Sequence, residues 1–323
     1  MRDAFNRLID YMRVSVTDRC NLRCKYCMPD DLLFVPHADI LRYEEVLRLC
    51  GIASTIGVQT IKVTGGEPLL RKGCVGFIRD LKALPGIKHA TLTTNGILLE
   101  QHVDALAEIG LDGVNISLDS LDAETYLQLT GRDEFLQVWK SLHKAVEAGL
   151  RVKINCVPLR GLNEAEIVSI AQLAERYPVD VRFIGLMPAG TSVLFERIPG
   201  EEILERLKRE YSDLAPDETR HGFGPVSYYS SSRLKGGVGV IDAVNNQFCV
   251  KCNRVRLTSE GFLKLCLSHD DGIDLRAMLR GGASDSAIEA AMSSAIFRKP
   301  EKHSFGDGVD CHGGIKKMSQ IGG

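Results

Sequence analysis

Residues 13–29 read RVSVTDRCNLRCKYCMP, a strand-like run that gives way to three cysteines, Cys20, Cys24 and Cys27, spaced C-x3-C-x2-C. Parallel α/β folds gather their chemistry at the carboxyl ends of their strands, so cysteines in this position predict an active site. Thiolate is the ligating form of cysteine. Arg19, Arg23 and Lys25 interleave with the triplet, which predicts easier deprotonation and partial neutralisation of a sulfide cluster. Three ligands on a four-iron cubane leave one iron open to an exogenous chelator, whereas a structural zinc site takes four protein ligands. His37 is the candidate for that fourth zinc ligand.

Outward from this stretch, hydrophobic runs of strand length fall near residues 11–17, 60–64, 88–93, 113–118, 151–157 and 180–186, each followed by helical spacing. The first helix carries Val46, Leu47, Cys50, Ala53 and Ile56 on one stripe and ends at Gly57, a suitable C-terminal cap. Such alternation predicts an α/β fold with a parallel sheet and right-handed crossovers. Six units are two short of a closed barrel, so an incomplete (βα)6 TIM-type barrel is expected over residues 1–215. Beyond it the texture changes to alternating segments, VSYYSSSR at 226–233, VGVIDAV at 238–244 and VRLTSEGFLKLCLS at 255–268, then helical stretches near 274–280 and 284–298. These predict a smaller C-terminal α+β domain over 216–323. The terminal GVDCHGGIKKMSQIGG has the composition of a frayed end.

The chain has 323 residues, 44% hydrophobic and 25% charged, enough for a large core and a companion domain. A net charge of -2 gives no global attraction for nucleic acid or anionic membrane, so a polyanion must be held by a local cluster of cations. No apolar block precedes a small-residue cleavage site, and no stretch approaches the ~18 apolar residues of a membrane span. A cytoplasmic protein is expected. Ten cysteines in a reducing compartment point to metal rather than disulfides. Six fall in two triplets, while Cys50, Cys74, Cys156 and Cys311 stand alone and read as buried thiols.

The second triplet is Cys249-x2-Cys252-x13-Cys266, again one ligand short for zinc, although His269 could complete a zinc ribbon. At the end of the second run stands Gly65-Gly66-Glu67-Pro68, whose glycines allow backbone to approach a ligand or simply make a strand-to-helix turn.

With Tyr26 before its third cysteine, the first triplet resembles the signature of the radical S-adenosylmethionine (SAM) superfamily, and the GGEP segment strengthens the likeness. The stretch CNRVRLTSEGFLKLCL at 252–267 is similar to one family in particular, the GTP 3',8-cyclases that begin molybdenum cofactor biosynthesis. Further segments carry the resemblance across nearly the whole chain: KVTGGEPLLRK at 62–72, LTTNG at 92–96, SLDSL at 117–121, KIN at 153–155, KPEKH at 299–303 and IGG at 321–323. One departure is Gly185, in Phe183-Ile184-Gly185-Leu186-Met187-Pro188, where the family pattern F-I-E-x-M-P has an acid.

The resemblance implies two [4Fe-4S] clusters. Cys20, Cys24 and Cys27 would hold the one that reduces SAM, with Tyr26, Gly66, Ser117 and Met187 contacting SAM itself. Cys249, Cys252 and Cys266 would hold the other, whose open iron binds the guanine of GTP. Arg13, Lys62, Thr93, Lys153, Arg254 and Arg256 would contact GTP; Arg254 and Arg256 would also be catalytic, together with Gly322 and Gly323, which would reach into the active site. The implied reaction takes the ribose 3' hydrogen with a 5'-deoxyadenosyl radical and joins C3' to guanine C8, giving (8S)-3',8-cyclo-7,8-dihydroguanosine 5'-triphosphate. An external electron donor, a downstream cyclic pyranopterin monophosphate synthase and a homodimer are also implied.

The residues give an independent check. Arg13, Lys62 and Lys153 interrupt otherwise apolar strands, where a solvated surface charge is an uneasy explanation, and a triphosphate of about four charges needs clustered cations. No Walker-type glycine loop is present to supply another mode. Two alternatives compete: a radical SAM peptide-modifying enzyme with an auxiliary cluster, and a zinc-binding nucleic-acid adaptor. Only 6% aromatic residues and no basic stripe weigh against the adaptor, so no nucleic-acid or membrane partner is expected.

Overall fold

The computed structural model describes residues 1–28, 33–188, 190–219, 221–224, 226–242, 244, 248–305 and 318–321. Six strands, β1 (Tyr11–Ser15), β2 (Thr60–Thr64), β3 (His89–Thr94), β4 (Gly113–Ser117), β5 (Val152–Cys156) and β6 (Asp180–Ile184), pair in chain order and all run parallel. Between them lie α1 (Tyr43–Thr55), α2 (Cys74–Lys82), α3 (Val103–Glu108), α4 (Ala123–Thr130), α5 (Phe135–Glu147), α6 (Ile167–Ala171) and α7 (Leu173–Arg176). The six strands match the hydrophobic runs read from the sequence, and the fold is the expected open (βα)6 TIM-type barrel.

The remaining chain adds α8 (Gly200–Glu210), β7 (Ala215–Asp217), β8 (Ser227–Ser230), β9 (Val238–Ile241), β10 (Arg254–Leu257), β11 (Phe262–Lys264), β12 (Gly272–Asp274), α9 (Leu275–Arg280), α10 (Asp285–Phe297) and α11 (Met318–Ile321). Its strands extend both edges of the barrel sheet. β10 lies parallel on β1 and carries β11 and β12 antiparallel beyond it; β9 lies parallel on β6 and carries β8 and β7. One twelve-stranded sheet results, in the order β12-β11-β10-β1-β2-β3-β4-β5-β6-β9-β8-β7.

Side chains alternate across a strand with a period of two, and here the two faces differ in kind. Met12, Val14, Ile61, Val63, Ala90, Leu92, Val114, Ile116, Val152, Ile154, Val181 and Phe183 join the core shared with the helices. Their neighbours Arg13, Lys62, Thr91, Thr93, Asn115, Lys153, Asn155 and Arg182 line a central cavity. A closed TIM barrel fills its interior with branched apolar side chains. This lumen is polar and cationic instead, which marks it as a place for a ligand.

α1 buries Val46, Leu49, Cys50, Ile52 and Ala53, with Leu47 and Ile56 at the border of the stripe. It ends where expected, with Gly57 left-handed at φ 100° and Val58 N–H donating to the Ala53 carbonyl at 3.0 Å. Cys50, Cys74 and Cys156 are buried free thiols as expected, while Cys311 lies outside the described residues. Among the described residues no helix is long and apolar enough to cross a membrane.

Candidate active site

The loop after β1 brings Cys20, Cys24 and Cys27 to the wall of one cavity, together with Tyr26, Gly66, Ser117 and Met187. All four residues assigned to SAM therefore share a chamber with the first triplet, although they end or follow four different strands. The loop is held by its own turn, Cys27 N–H and Met28 N–H both donating to the Cys24 carbonyl, and by Arg23 N–H and Lys25 N–H donating to Thr130 and Leu129 at the end of α4.

Of the interleaved cations, Arg23 acts on the Cys20 thiol in the expected direction but weakly. The Arg23 guanidinium donates to the Cys20 and Leu22 carbonyls, and Arg19 meets His37 Nε2 at 2.6 Å. Burial therefore prevails and raises the Cys20 thiol despite a weaker opposing pull from Arg23. Cys24 is pushed well above its ordinary value by burial and then by the charges of Cys27, Asp119 and Cys20. The charges of Cys27 and Cys20 thus weigh against ionising Cys24, and the irons of a cluster would supply the positive charge that lets the three sulfurs ionise together.

Gly65 and Gly66 are required by backbone proximity. A Cβ on Gly66 would lie 2.3 Å from the Arg19 carbonyl oxygen, and one on Gly65 2.6 Å from that of Thr17. Gly66 N–H and Glu67 N–H donate to Thr17 and Arg19 at 2.7 Å each, so the glycines weld the β2 turn to the cysteine loop. Glu67 is buried and accepts from Leu69 N–H, the Thr94 hydroxyl and Asn95 N–H; burial outweighs these bonds and lifts its carboxyl to about 7. Its neighbour Asn95 presents Nδ2 3.7 Å from Cys20 Sγ.

Asp119 was not singled out by the sequence, although it lies within the quoted SLDSL. It accepts from the Tyr26 hydroxyl at 2.6 Å and from Val157 N–H at 2.8 Å, tying the cysteine loop to the ends of β4 and β5. Burial raises its carboxyl to about 6. Gly185 also lines this cavity, and the place of its absent side chain is 3.6 Å from Asp242 Oδ1, so an acidic group still stands close by.

The second, cation-lined cavity holds Arg13, Lys62, Lys153, Arg254 and, missed by the sequence reading, Arg182. In the sheet, Arg13 is flanked by Lys62 on β2 and Arg256 on β10. Burial, then Arg182, Arg13, Lys153 and Arg254, press the Lys62 ammonium well below its ordinary value. Arg13 is lowered to about 10, and Arg256 is also lowered, burial leading in both. Lys153 is already engaged: it pairs with Asp180 at 2.5 Å, donates to the His221 carbonyl, and lies 3.2 Å from the Tyr228 hydroxyl. His221 bridges Asp180 and Asp217 at 2.9 Å each and stacks on Tyr228. Arg182 donates to Asn155 Oδ1. Buried cations crowded in this way call for a polyanion. The two cavities meet at Thr93, Asn155 and Ile184, which line both.

Cys249 and Cys252 precede β10, and Cys266 follows the antiparallel β11, so the second triplet gathers at the amino end of the sheet near β1. The first triplet follows β1 at the other end. The five-residue strand β1 lies between them. Burial raises the Cys252 thiol, but Arg254 and Lys299 outweigh it and bring it down to about 7. Cys249 is raised by burial and by Cys266 and Cys252. His269, needed for a zinc ribbon, places Nε2 3.1 Å from the Lys302 carbonyl. Among the described residues no three Cys, His, Asp or Glu side chains converge to enclose a single ion, whereas a cubane takes its thiolates on separate irons. Gly322 and Gly323 lie outside the described residues; Ile321, just before them, is buried.

Comparison with known proteins places this geometry. Residues 14–174 match the radical SAM superfamily and 179–305 match Molybdenum Cofactor Synthesis C. A GTP 3',8-cyclase of Pelotomaculum thermopropionicum is 42% identical over the full length of both chains, and one from Moorella thermoacetica is likewise 42% identical over the full length of both. The chain belongs to the GTP 3',8-cyclase family. As a member of this radical SAM family it uses an iron-sulfur cluster and SAM. The GTP 3',8-cyclase fold is shared more widely: SuiB of Streptococcus suis bound to S-adenosylmethionine superposes with a TM-score of 0.63 at 14% identity, covering 83% of this chain and 63% of that one.

Proposed function

We propose that this chain converts GTP to (8S)-3',8-cyclo-7,8-dihydroguanosine 5'-triphosphate, the first step of molybdenum cofactor biosynthesis, with two [4Fe-4S] clusters. The observation that carries this is the meeting of the cysteine-lined cavity and the cation-lined lumen at Thr93, Asn155 and Ile184. When bound, the first cluster and SAM supply one-electron chemistry that turns SAM into a hydrogen-abstracting agent.

The chain's own residues orient and screen the reactants. Cys20, Cys24 and Cys27 would hold the first cluster, and Tyr26, Gly66, Ser117 and Met187 would bind SAM in the same cavity. Cys249, Cys252 and Cys266 would hold the second, which would supply a site for guanine. Arg13, Lys62, Lys153, Arg254 and Arg256 neutralise the triphosphate, with Thr93 at the junction, where the ribose must face SAM. Arg254, Arg256 and the Gly322-Gly323 pair take the catalytic roles. Holding two reactants in one chamber converts an encounter into an intramolecular step. An external low-potential donor supplies the electron, the product passes to cyclic pyranopterin monophosphate synthase, and the enzyme works as a cytoplasmic homodimer.

The test is anaerobic turnover of reconstituted protein with GTP, SAM and reductant. GTP loss and 5'-deoxyadenosine formation should rise one for one, with about eight iron and eight sulfide per chain. SAM cleavage indifferent to GTP would instead favour the peptide-modifying alternative, against which the crowded cations of the lumen already speak.

A further inference from the structure

Of the segments singled out in the sequence, Lys299-Pro300-Glu301-Lys302-His303 has no part in the scheme above. In the structure it wraps the second triplet. Lys299 is 2% exposed, and its ammonium donates to the carbonyl of Leu265, the residue before Cys266. No carboxylate lies within ion-pair distance of it among the described residues. The nearby Lys264 differs, being paired with Asp270 at 2.9 Å. The charge of Lys299 acts on both Cys249 and Cys252, and the backbone N–H of His303 hydrogen-bonds the Cys249 thiol.

The segment is fixed from outside by Arg7, a buried guanidinium that donates to the carbonyls of Cys249 (3.0 Å), Pro300 (2.6 Å) and Glu301 (2.6 Å) while paired with Asp3 at 2.6 Å. The loop of Cys249 and the KPEKH segment are thus clamped together by one side chain.

We propose that the KPEKH segment is the electrostatic cradle of the second cluster, with Lys299 as its buried counter-charge and the His303 N–H as a hydrogen bond to a ligand sulfur. A buried ammonium with no acid paired to it among the described residues is stabilised by a negative partner. Three thiolates on a [4Fe-4S]2+ core leave a net negative group beside it. Net charge and hydrogen bonds to sulfur are the terms through which a protein sets a cluster's potential. Lys299 acts through the cluster and is a positioning and tuning residue that does not touch GTP.

The inference rests on the two-cluster reading, and the experiment separates the two. Full-length Lys299→Gln keeps a donor for Leu265 but loses the charge; Lys299→Arg keeps the charge. Each is reconstituted anaerobically, analysed for iron, and titrated with EPR detection, the first cluster serving as internal reference. In Lys299→Gln the second midpoint should fall by about 59 mV, a tenfold change for one electron, or the second cluster should be lost while the first remains. Lys299→Arg should restore it. An unchanged second midpoint at full iron in Lys299→Gln overturns the proposal, as does equal loss of the second cluster in Lys299→Arg. A wild-type chain with only about four irons would sink the two-cluster reading itself and this inference with it.

Discussion

Lys62 is buried among Arg13, Lys153, Arg182 and Arg254, and its ammonium is depressed by its surroundings. It costs the ligand-free protein stability. Lys62→Met should therefore stabilise the ligand-free fold, on the order of the 1–4 kcal/mol gained when buried ion pairs give way to apolar groups, while raising the KM for GTP roughly tenfold or more. Thermal melts beside steady-state kinetics check this; a lower melting temperature would show that the lysine is structural. The sign extends to pH. A lysine whose folded value lies below its unfolded 10.5 makes the protein gain stability as pH rises between the two, and the Met variant should lack that increment. Gly66→Ala should act on the other cavity, since its methyl would fall 2.3 Å from the Arg19 carbonyl oxygen. It should cost about 1–3 kcal/mol and bar assembly of the first cluster, seen as iron falling by about half; full iron content would show that the turn yields freely.

At the scale of elements, the pairing of α1 with α9 is testable by pH. Glu45 on α1 accepts from Arg280 on α9 at 2.9 and 3.1 Å and from Arg42 N–H at 2.7 Å. The Arg280 hydrogen bond leads in holding its carboxyl down at about 2 from 4.5. A depressed acid contributes stability that is complete above its unfolded value and lost as pH falls through its folded value. Glu45→Gln should thus lower the melting temperature near neutrality, with the gap to wild type closing between pH 4.5 and about 2; a gap independent of pH would refute the pairing. The parallel strands were legible in advance because each is a hydrophobic run with its helix. Arg182 was not, since Val181-Arg182-Phe183 reads as a buried strand until the alternation of Arg13, Lys62 and Lys153 is extended to it. Asp119 escaped because its value lies in a bond to Tyr26, 93 residues away. Adjacency in sequence overstates Arg23 and Arg19 for the opposite reason: their guanidinium groups bond the Cys20 and Leu22 carbonyls and His37, leaving Arg23 only a weak pull on the Cys20 thiol.

For the molecule as a whole, β10 covers the edge of β1 and β9 that of β6, so residues 1–215 alone would expose two parallel edges. That fragment should aggregate or fail to hold the first cluster; a soluble monomeric fragment binding four irons would show that the outer ladders are dispensable. The coupling is why the two triplets, more than 220 residues apart in sequence, end at opposite ends of neighbouring strands. Their separate spacings were plain from the sequence, but that shared strand pair was not, because no local pattern announces that β10 docks on β1.

Along every barrel strand the residues that grip the helices take turns with those that greet the ligand. Rewriting the chamber therefore leaves the scaffold alone. A descendant drifting toward an uncharged substrate would need changes at only a few odd-numbered or even-numbered places, Lys62 and Arg182 among them, and its hydrophobic side would keep no record of the change.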